Sequence, residues 1–73
     1  MTGTVAAKPT GTCATSITFF VGTTKVVTNA STVFEEGSCA SVVAGAVVEV
    51  EGITQLDGSV LATEVSIEDE SDD

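Results

Sequence analysis

The clearest pattern in the chain is an alternation of apolar and polar residues that begins shortly after Gly45. Val48 and Val50 fall on one side of a predicted strand, and Glu49 and Glu51 fall on the other. Because burying an unpaired carboxylate is costly, we expect the valines to face the interior and the glutamates to face water. The pattern therefore predicts a strand with one dry face and one acidic face.

A second alternating segment follows the pair Asp57-Gly58, which is a strong hairpin signal. Both residue types tolerate positive φ, so we predict a type I′ turn at this pair. The inward positions of the next strand are predicted at odd-numbered residues: Leu61, Thr63, Val65 and Ile67. Glu64, Ser66 and Glu68 are then expected to face solvent, so that the two segments form one hairpin.

Three more strands are predicted in the first half of the chain, over residues 2–8, 16–21 and 24–28. The second of these is the strongest, because Ile17, Phe19 and Val21 recur at period two. Gly22 begins the short turn that follows, since glycine takes the positive φ that tight hairpins need. Pro9 cannot donate a ladder hydrogen bond, so the first strand is expected to weaken or end there.

The region before the final hairpin is less regular. Residues 32–35 are expected to form a short extended segment with Phe34 turned inward. Residues 38–44 are the one place where a short helical turn is expected, and Gly45 would stop it. Open sheet edges invite aggregation, and closure removes them. We therefore predict an all-β fold, a small five-stranded barrel, closed or partly open, with a short helical turn between strands 3 and 4.

Chain length limits the number of domains, and charge limits the classes of partner that we expect. A chain of 73 residues holds one domain at most, so we expect a β-barrel domain over residues 1–67. Residues 68–73 contain five of the 11 acidic residues and are predicted to form an acidic disordered tail. The net charge of −9 repels nucleic acids and anionic membrane surfaces, so neither is expected as a partner. No apolar run is long enough to span a bilayer, so no membrane insertion is expected.

Cys13 and Cys39 are the only cysteines of the sequence. A structural disulfide between them is favoured, because a chain this small gains much from a covalent link. On the chain-entropy model the link would stabilise the fold by about 3.5 kcal/mol. Two free thiols in a cytosolic protein are the main alternative. The sequence has no histidine, which argues against a zinc site and against a catalytic thiol.

Catalytic chemistry has few candidates, and we expect no enzyme activity, no cofactor and no metal site. Two acidic alternatives stay open. Glu49 and Glu51 lie about 7 Å apart on one strand face, a spacing that a carboxylate-based hydrolase could use. A solvated outer face is the favoured interpretation of that pair. Glu35, Glu36 and the acidic tail are the candidate residues of a module that responds to divalent cations.

Phe20 has the opposite parity to Ile17, Phe19 and Val21, so its side chain is predicted to point away from the core. It is a candidate surface contact for stacking or for a partner protein. The alternative, which we favour, is that a loop or the irregular crossing covers it, because large exposed apolar groups are usually covered or used.

Taken in order, several segments of the chain resemble those of a known family. These segments are Gly3-Thr4-Val5, Phe19-Phe20-Val21-Gly22, Lys25-Val26-Val27-Thr28, Thr32-Val33-Phe34, residues 45–52 and residues 57–65. Their order, with Cys13 and Cys39 at matching places, resembles the domain-of-unknown-function 5666 family of small β-domains in exported or surface bacterial proteins. The resemblance covers roughly residues 3–67. It implies a barrel like the oligonucleotide/oligosaccharide-binding (OB) fold and an extracytoplasmic setting, and it carries over no catalytic residues.

These observations lead us to expect a non-catalytic binding or spacer module of an exported bacterial protein. Its location would be periplasmic, cell-surface or secreted. Its partner would be an unknown protein, a glycan or a small ligand, and we expect the module to be a monomer. The sequence contains no signal-peptide pattern, so export would depend on a leader outside it.

Overall fold

The computed structural model describes residues 1–13 and 15–68 of the chain. Within these residues the fold is all-β, and its one helical element is a single 3-10 turn at Cys39–Ser41. The strands, in chain order, are β1 Thr2–Thr4, β2 Thr10–Thr12, β3 Ser16–Val21, β4 Thr24–Val27, β5 Val33–Glu35, β6 Val47–Thr54 and β7 Val60–Ile67. Nothing in the described part of the chain forms a helix of the length and hydropathy needed to span a bilayer.

One sheet contains all seven of these strands, in the order β1-β6-β7-β4-β3-β2, with β5 also paired to β7. The strands β4 and β5 pair with β7 in parallel, and the other pairs are antiparallel. The ladders between the named strands do not close the sheet into a barrel. A single bridge, Val5 with Val21, joins the end of β1 to β3. Beside it, the Ala6 amide donates to the Phe20 carbonyl over 2.8 Å.

The sheet has more strands than the five that were predicted, because β2 and β5 are short and carry no long alternation. β2 lies in a segment predicted as a polar connection. Gly11 allows it to pair closely with β3, since its φ is +105° and a Cβ there would collide with the Ser16 carbonyl. β5 corresponds to the short extended segment that was predicted around Phe34, which packs against the core.

The core confirms the predicted parity of β3 and of the first half of β6. Its buried apolar side chains are Val5, Ile17, Phe19, Val21, Val26, Val42, Val48, Val50, Ala62, Val65 and Ile67. The buried Thr28 hydroxyl is satisfied, because its Oγ1 accepts the Ile17 amide at 3.0 Å. The core is therefore built mainly from β-branched residues around the fully buried Phe19.

A β-bulge overturns the predicted parity at the start of β7. Glu51 pairs with Glu64, but Gly52 pairs with Ala62, so Thr63 is an extra residue without a register position opposite it on β6. The inward positions before the bulge are consequently even-numbered. Ala62 is buried, whereas Thr63 is exposed and Leu61 is half-buried on the outer face. The predictions that Leu61 and Thr63 face inward were wrong.

The hairpin tip also differs from the predicted type I′ turn. Gly58 has a φ of +90°, but Asp57 is not among the described residues with positive φ. The Gly58 amide donates to the Gln55 carbonyl over 3.0 Å, and the Gln55 amide donates to the Ser59 carbonyl over 2.7 Å. This pattern is a longer loop with one left-handed glycine, which the Asp-Gly pair alone does not distinguish from a two-residue turn.

The predicted helical turn is present between β5 and β6. Ser38 precedes it, and the Ser38 amide donates to the Ser41 hydroxyl over 3.2 Å. Gly45 follows with a φ of +92°, and its amide donates to the Val5 carbonyl over 2.9 Å. Most of the predicted acidic tail, residues 69–73, lies outside the described residues. Its first residue, Glu68, is tied to the sheet by an amide hydrogen bond to the Val47 carbonyl at 2.8 Å.

Candidate functional site

The outer face of the sheet carries a row of apolar side chains across β6, β7, β4 and β3. Leu61 pairs with Ile53 on one side and with Val27 on the other, so the three side chains lie side by side. Ile53 is 61 % exposed, and the other two are half-buried. Phe20 extends the row, because it lies diagonally across from Val27 in the β3–β4 ladder. We call Phe20, Val27, Ile53 and Leu61 the outer strip.

Phe20 is 43 % exposed, so neither a loop nor the 3-10 turn covers it. The interpretation that it would be covered was wrong, and the alternative of a surface residue describes the structure. Its direct partner in the ladder is Lys25, one of the two lysines of the chain. The outer strip therefore has an aromatic ring and a cation at one end.

The other end of the outer strip continues into a projecting part of the β6–β7 hairpin, which we call the arm (residues 52–62). Leu56 at its tip is fully exposed. The tip is ordered by Asp57, whose carboxylate accepts the Ser59 hydroxyl at 2.7 Å and the Ser59 amide at 2.9 Å. These two hydrogen bonds, and to a smaller extent the charge of Lys25, hold the pKa of Asp57 below its ordinary value of 3.8. The arm thus presents a fixed apolar tip.

An acidic face adjoins the outer strip on the same side of the sheet. It consists of Glu35, Glu49, Glu51, Glu64 and Glu68. Glu51 and Glu64 are directly opposite each other, one residue beyond the bulge from the outer strip. Like charges in this position repel each other, so the sheet gains no stability from the pair. A basic group on a partner would relieve that repulsion.

A disulfide joins Cys13 to Cys39, with Cα atoms 5.8 Å apart, as the sequence favoured over free thiols. It links the β2–β3 connection to the 3-10 turn. Beside it lies a cleft of about 510 Å³, with one wall formed by residues 8–13 and the other by residues 39–44. Ile17 forms part of the lining between the two walls. A disulfide is compatible with an extracytoplasmic location.

Of the acidic residues proposed for other chemistry, the structure describes Glu35, Glu36, Glu49, Glu51 and Glu68, and the rest of the acidic tail lies outside the described residues. Among the described residues, no group of three or more His, Cys, Asp or Glu side chains is placed to hold a metal ion. Glu35 lies on β5, while Glu36 occupies a turn with a φ of +60°. Glu49 and Glu51 lie on the solvated outer face, as predicted, and Glu49 is paired with Ser66.

Sequence reasoning found Phe20 and missed the other residues of the outer strip. Leu61 was assigned to the core, and Ile53 and Val27 were not singled out. Gly52 was the available signal, because a glycine inside a strand often marks a bulge. A Cβ at this position would collide with the Leu61 carbonyl, so the local geometry requires glycine.

A family model described as Domain of unknown function (DUF5666) matches residues 2–66. The match includes β1 to β6 in full, β7 as far as Ser66, and both cysteines. No curated protein and no solved structure matches the chain.

Proposed function

The chain belongs to the family Domain of unknown function (DUF5666) over residues 2–66, and we propose that it is a non-catalytic binding module whose outer strip contacts a protein partner. The observation that carries this proposal is the contiguous row of outward apolar side chains, with Phe20 and Ile53 substantially exposed. Contiguous exposed apolar surface in a small soluble domain is typical of an interaction site. The four side chains of the outer strip, Phe20, Val27, Ile53 and Leu61, are all apolar.

The charges beside the outer strip favour a partner with an apolar centre and basic residues. Glu51 and Glu64 border the strip on one side, where they would attract lysine or arginine side chains. Polyanions are disfavoured by the net charge of −9. A glycan is also less suitable, because Phe20 is the one strongly exposed aromatic residue in the described part of the chain. A protein segment satisfies both the apolar and the acidic parts of the surface.

An immobilised peptide array tests this proposal. Its members would carry an apolar centre flanked by basic, neutral or acidic residues, and the basic set is expected to retain the protein best. Phe20→Ala and Ile53→Ala should each weaken that binding about fivefold or more, as truncation of a central contact does. Val43→Ala is the matched control, because Val43 is also about half exposed, at 52 %, but lies by the cleft.

Three outcomes would contradict the proposed function. The first is that no peptide class retains the protein. The second is that Phe20→Ala and Ile53→Ala bind as well as Val43→Ala, which would place the contact elsewhere. The third is retention on a glycan array with no retention on peptides, which would replace the protein partner with a carbohydrate.

The strand order supports the finer proposal of a partly open barrel resembling the OB fold. β4 and β7 pair in parallel, and the Val5–Val21 bridge returns the sheet from β3 to β1. Hydrogen exchange tests this closure, because the Ala6 amide should be protected by the Phe20 carbonyl. Free exchange at Ala6 would indicate an open sheet.

We also propose that the module works outside the cytoplasm of a bacterium. The Cys13–Cys39 disulfide supports this location, since reducing cytosol keeps most thiols free. To test this location, a thiol-alkylating reagent would be added to the native cells before they are lysed. The number of labelled cysteines in the purified protein would then be counted. Two labelled cysteines would contradict the proposed location.

A further inference from the structure

We propose that the cleft beside the disulfide binds an amphipathic carboxylate, with the apolar chain between its walls and the carboxylate at Lys8. This site is distinct from the outer strip. The cleft holds about 510 Å³, which is within the range of cavities that accept small organic ligands. Its lining is dominated by aliphatic side chains and the disulfide.

The side chains that line the cleft are suited to an apolar ligand. Ile17 and Val42, which belong to the core, line it together with Val43, which is 52 % exposed. Sulfur atoms of Cys13 and Cys39 add polarisable apolar surface. A hydrocarbon chain placed here would cover side chains that water now contacts, which is favourable.

Charge identifies the head group of the ligand. Lys8 carries the only formal charge among the described residues that line the cleft, in a chain whose net charge is −9. The other lysine, Lys25, lies on the outer face beside Phe20. An anion approaching this protein is repelled by its net negative charge and attracted by Lys8 in the lining of the cleft. A monoanionic carboxylate on an apolar chain matches both features.

The disulfide ties the two walls of the cleft together. Cys13 of one wall and Cys39 of the other have their Cα atoms 5.8 Å apart. The site is consequently formed before a ligand arrives, which lowers the entropic cost of binding.

Titration of the oxidised protein with octanoate and with octanol, followed by amide chemical shifts in NMR spectra, tests the proposal. Both ligands should shift the amides of Lys8, of residues 10–13 and of residues 39–44. Octanoate should bind about threefold more tightly, as one exposed ion pair gives. Lys8→Gln should remove that preference and leave octanol binding unchanged. Lys25→Gln is the matched control and should leave the affinity of both ligands unchanged.

A second pair of variants tests the apolar wall. Val43→Asn should weaken both ligands several-fold, whereas Val33→Asn, at a residue of nearly equal exposure on β5, should weaken neither. Equal losses of octanoate binding in Lys8→Gln and Lys25→Gln would overturn the site. So would shifts confined to the outer strip, or no saturable shift with either ligand. Equal affinity for octanol and octanoate would overturn the role of Lys8.

Discussion

The strands β6 and β7 pass through two different environments, and the contrast between them locates the candidate surface. In the body of the hairpin, below the bulge, Val50 and Val65 are almost wholly buried. In the arm, above the bulge, Ile53 is 61 % exposed and Leu61 is half-buried on the outer face. Both regions are rich in β-branched and aliphatic residues. What differs is which side of the sheet those residues occupy.

The bulge at Thr63 places Leu61 on the outer face, where Ile53 already lies because it continues the alternation of Glu49 and Glu51 along β6. One extra residue on β7 reverses the side to which every earlier side chain of that strand points. Residues that local alternation assigns to the interior therefore become outer-face residues. Apolar side chains that face the interior, including Ala62 of the arm, stabilise the fold, whereas Ile53 and Leu61 on the outer face are open to a partner.

The largest expected effect comes from the disulfide, which joins the β2–β3 connection to the 3-10 turn and lies outside the arm. Reductant, or the double substitution Cys13→Ser and Cys39→Ser, should lower the free energy of unfolding by about 3.5 kcal/mol on the chain-entropy estimate. The melting temperature should fall by roughly 15–25 °C. Calorimetry with and without reductant measures this, and the double variant should be insensitive to reductant. An unchanged melting temperature would show that the disulfide does not constrain the unfolded chain.

A pair of truncations on β6 directly tests the contrast between the buried body and the exposed arm of the hairpin. Val50→Ala should cost about 2 kcal/mol, because it leaves a cavity in the core. Ile53→Ala, three residues along the same strand, should cost less than about 0.5 kcal/mol. Urea unfolding of the two variants measures both values. Similar losses would mean that the arm packs against apolar surface in solution, and that its exposure is not a property of the folded monomer.

The acidic pair next to the arm gives a smaller effect of opposite sign. Glu64→Gln should stabilise the protein by about 0.3 kcal/mol, because it removes the like charge opposite Glu51. Salt should reduce this gain by screening the repulsion. Glu49→Gln is the control, since Glu49 faces Ser66, and it should gain less. Equal gains in both variants would indicate a general charge effect rather than the cross-strand pair.

The smallest effect concerns pH and the tip of the arm. The folded-state pKa of Asp57 is lower than its ordinary value of 3.8, so the ionised form favours the folded tip. This contribution is fully present above that ordinary value and is lost as the pH falls through the lower folded pKa. The Ser59 amide shift should report the transition, and Asp57→Asn should abolish it. An inflection at or above the ordinary value would contradict the hydrogen-bonded tip.

The regular parts of the fold could be predicted from the sequence because they depend on short-range alternation. Val48, Val50, Ile17, Phe19 and Val21 each repeat at period two within an uninterrupted strand. The short helical turn and the disulfide were also accessible, since capping serines, a terminating glycine and two cysteines in a small chain have local physical meaning. These features require no knowledge of which strands are neighbours.

The outer strip could not be predicted because it depends on register. Ile53, Leu61 and Val27 become neighbours only after the bulge fixes the pairing of β6 with β7 and β7 pairs in parallel with β4. The short strands β2 and β5 were missed or left uncounted for a related reason. Three residues offer too little alternation to identify a strand, and their pairing is decided by the rest of the sheet.

The covalent link has a mechanical consequence for a module that is pulled from its two ends. The disulfide closes a loop between Cys13 and Cys39, which are 26 positions apart, and this loop contains β3, β4 and β5. Tension applied to the chain ends would pass through the disulfide and would not stretch the loop that it closes. About 90 Å of contour length would therefore not extend until the disulfide is reduced. Reduction would thus change how far the stretched domain extends as well as how readily it unfolds.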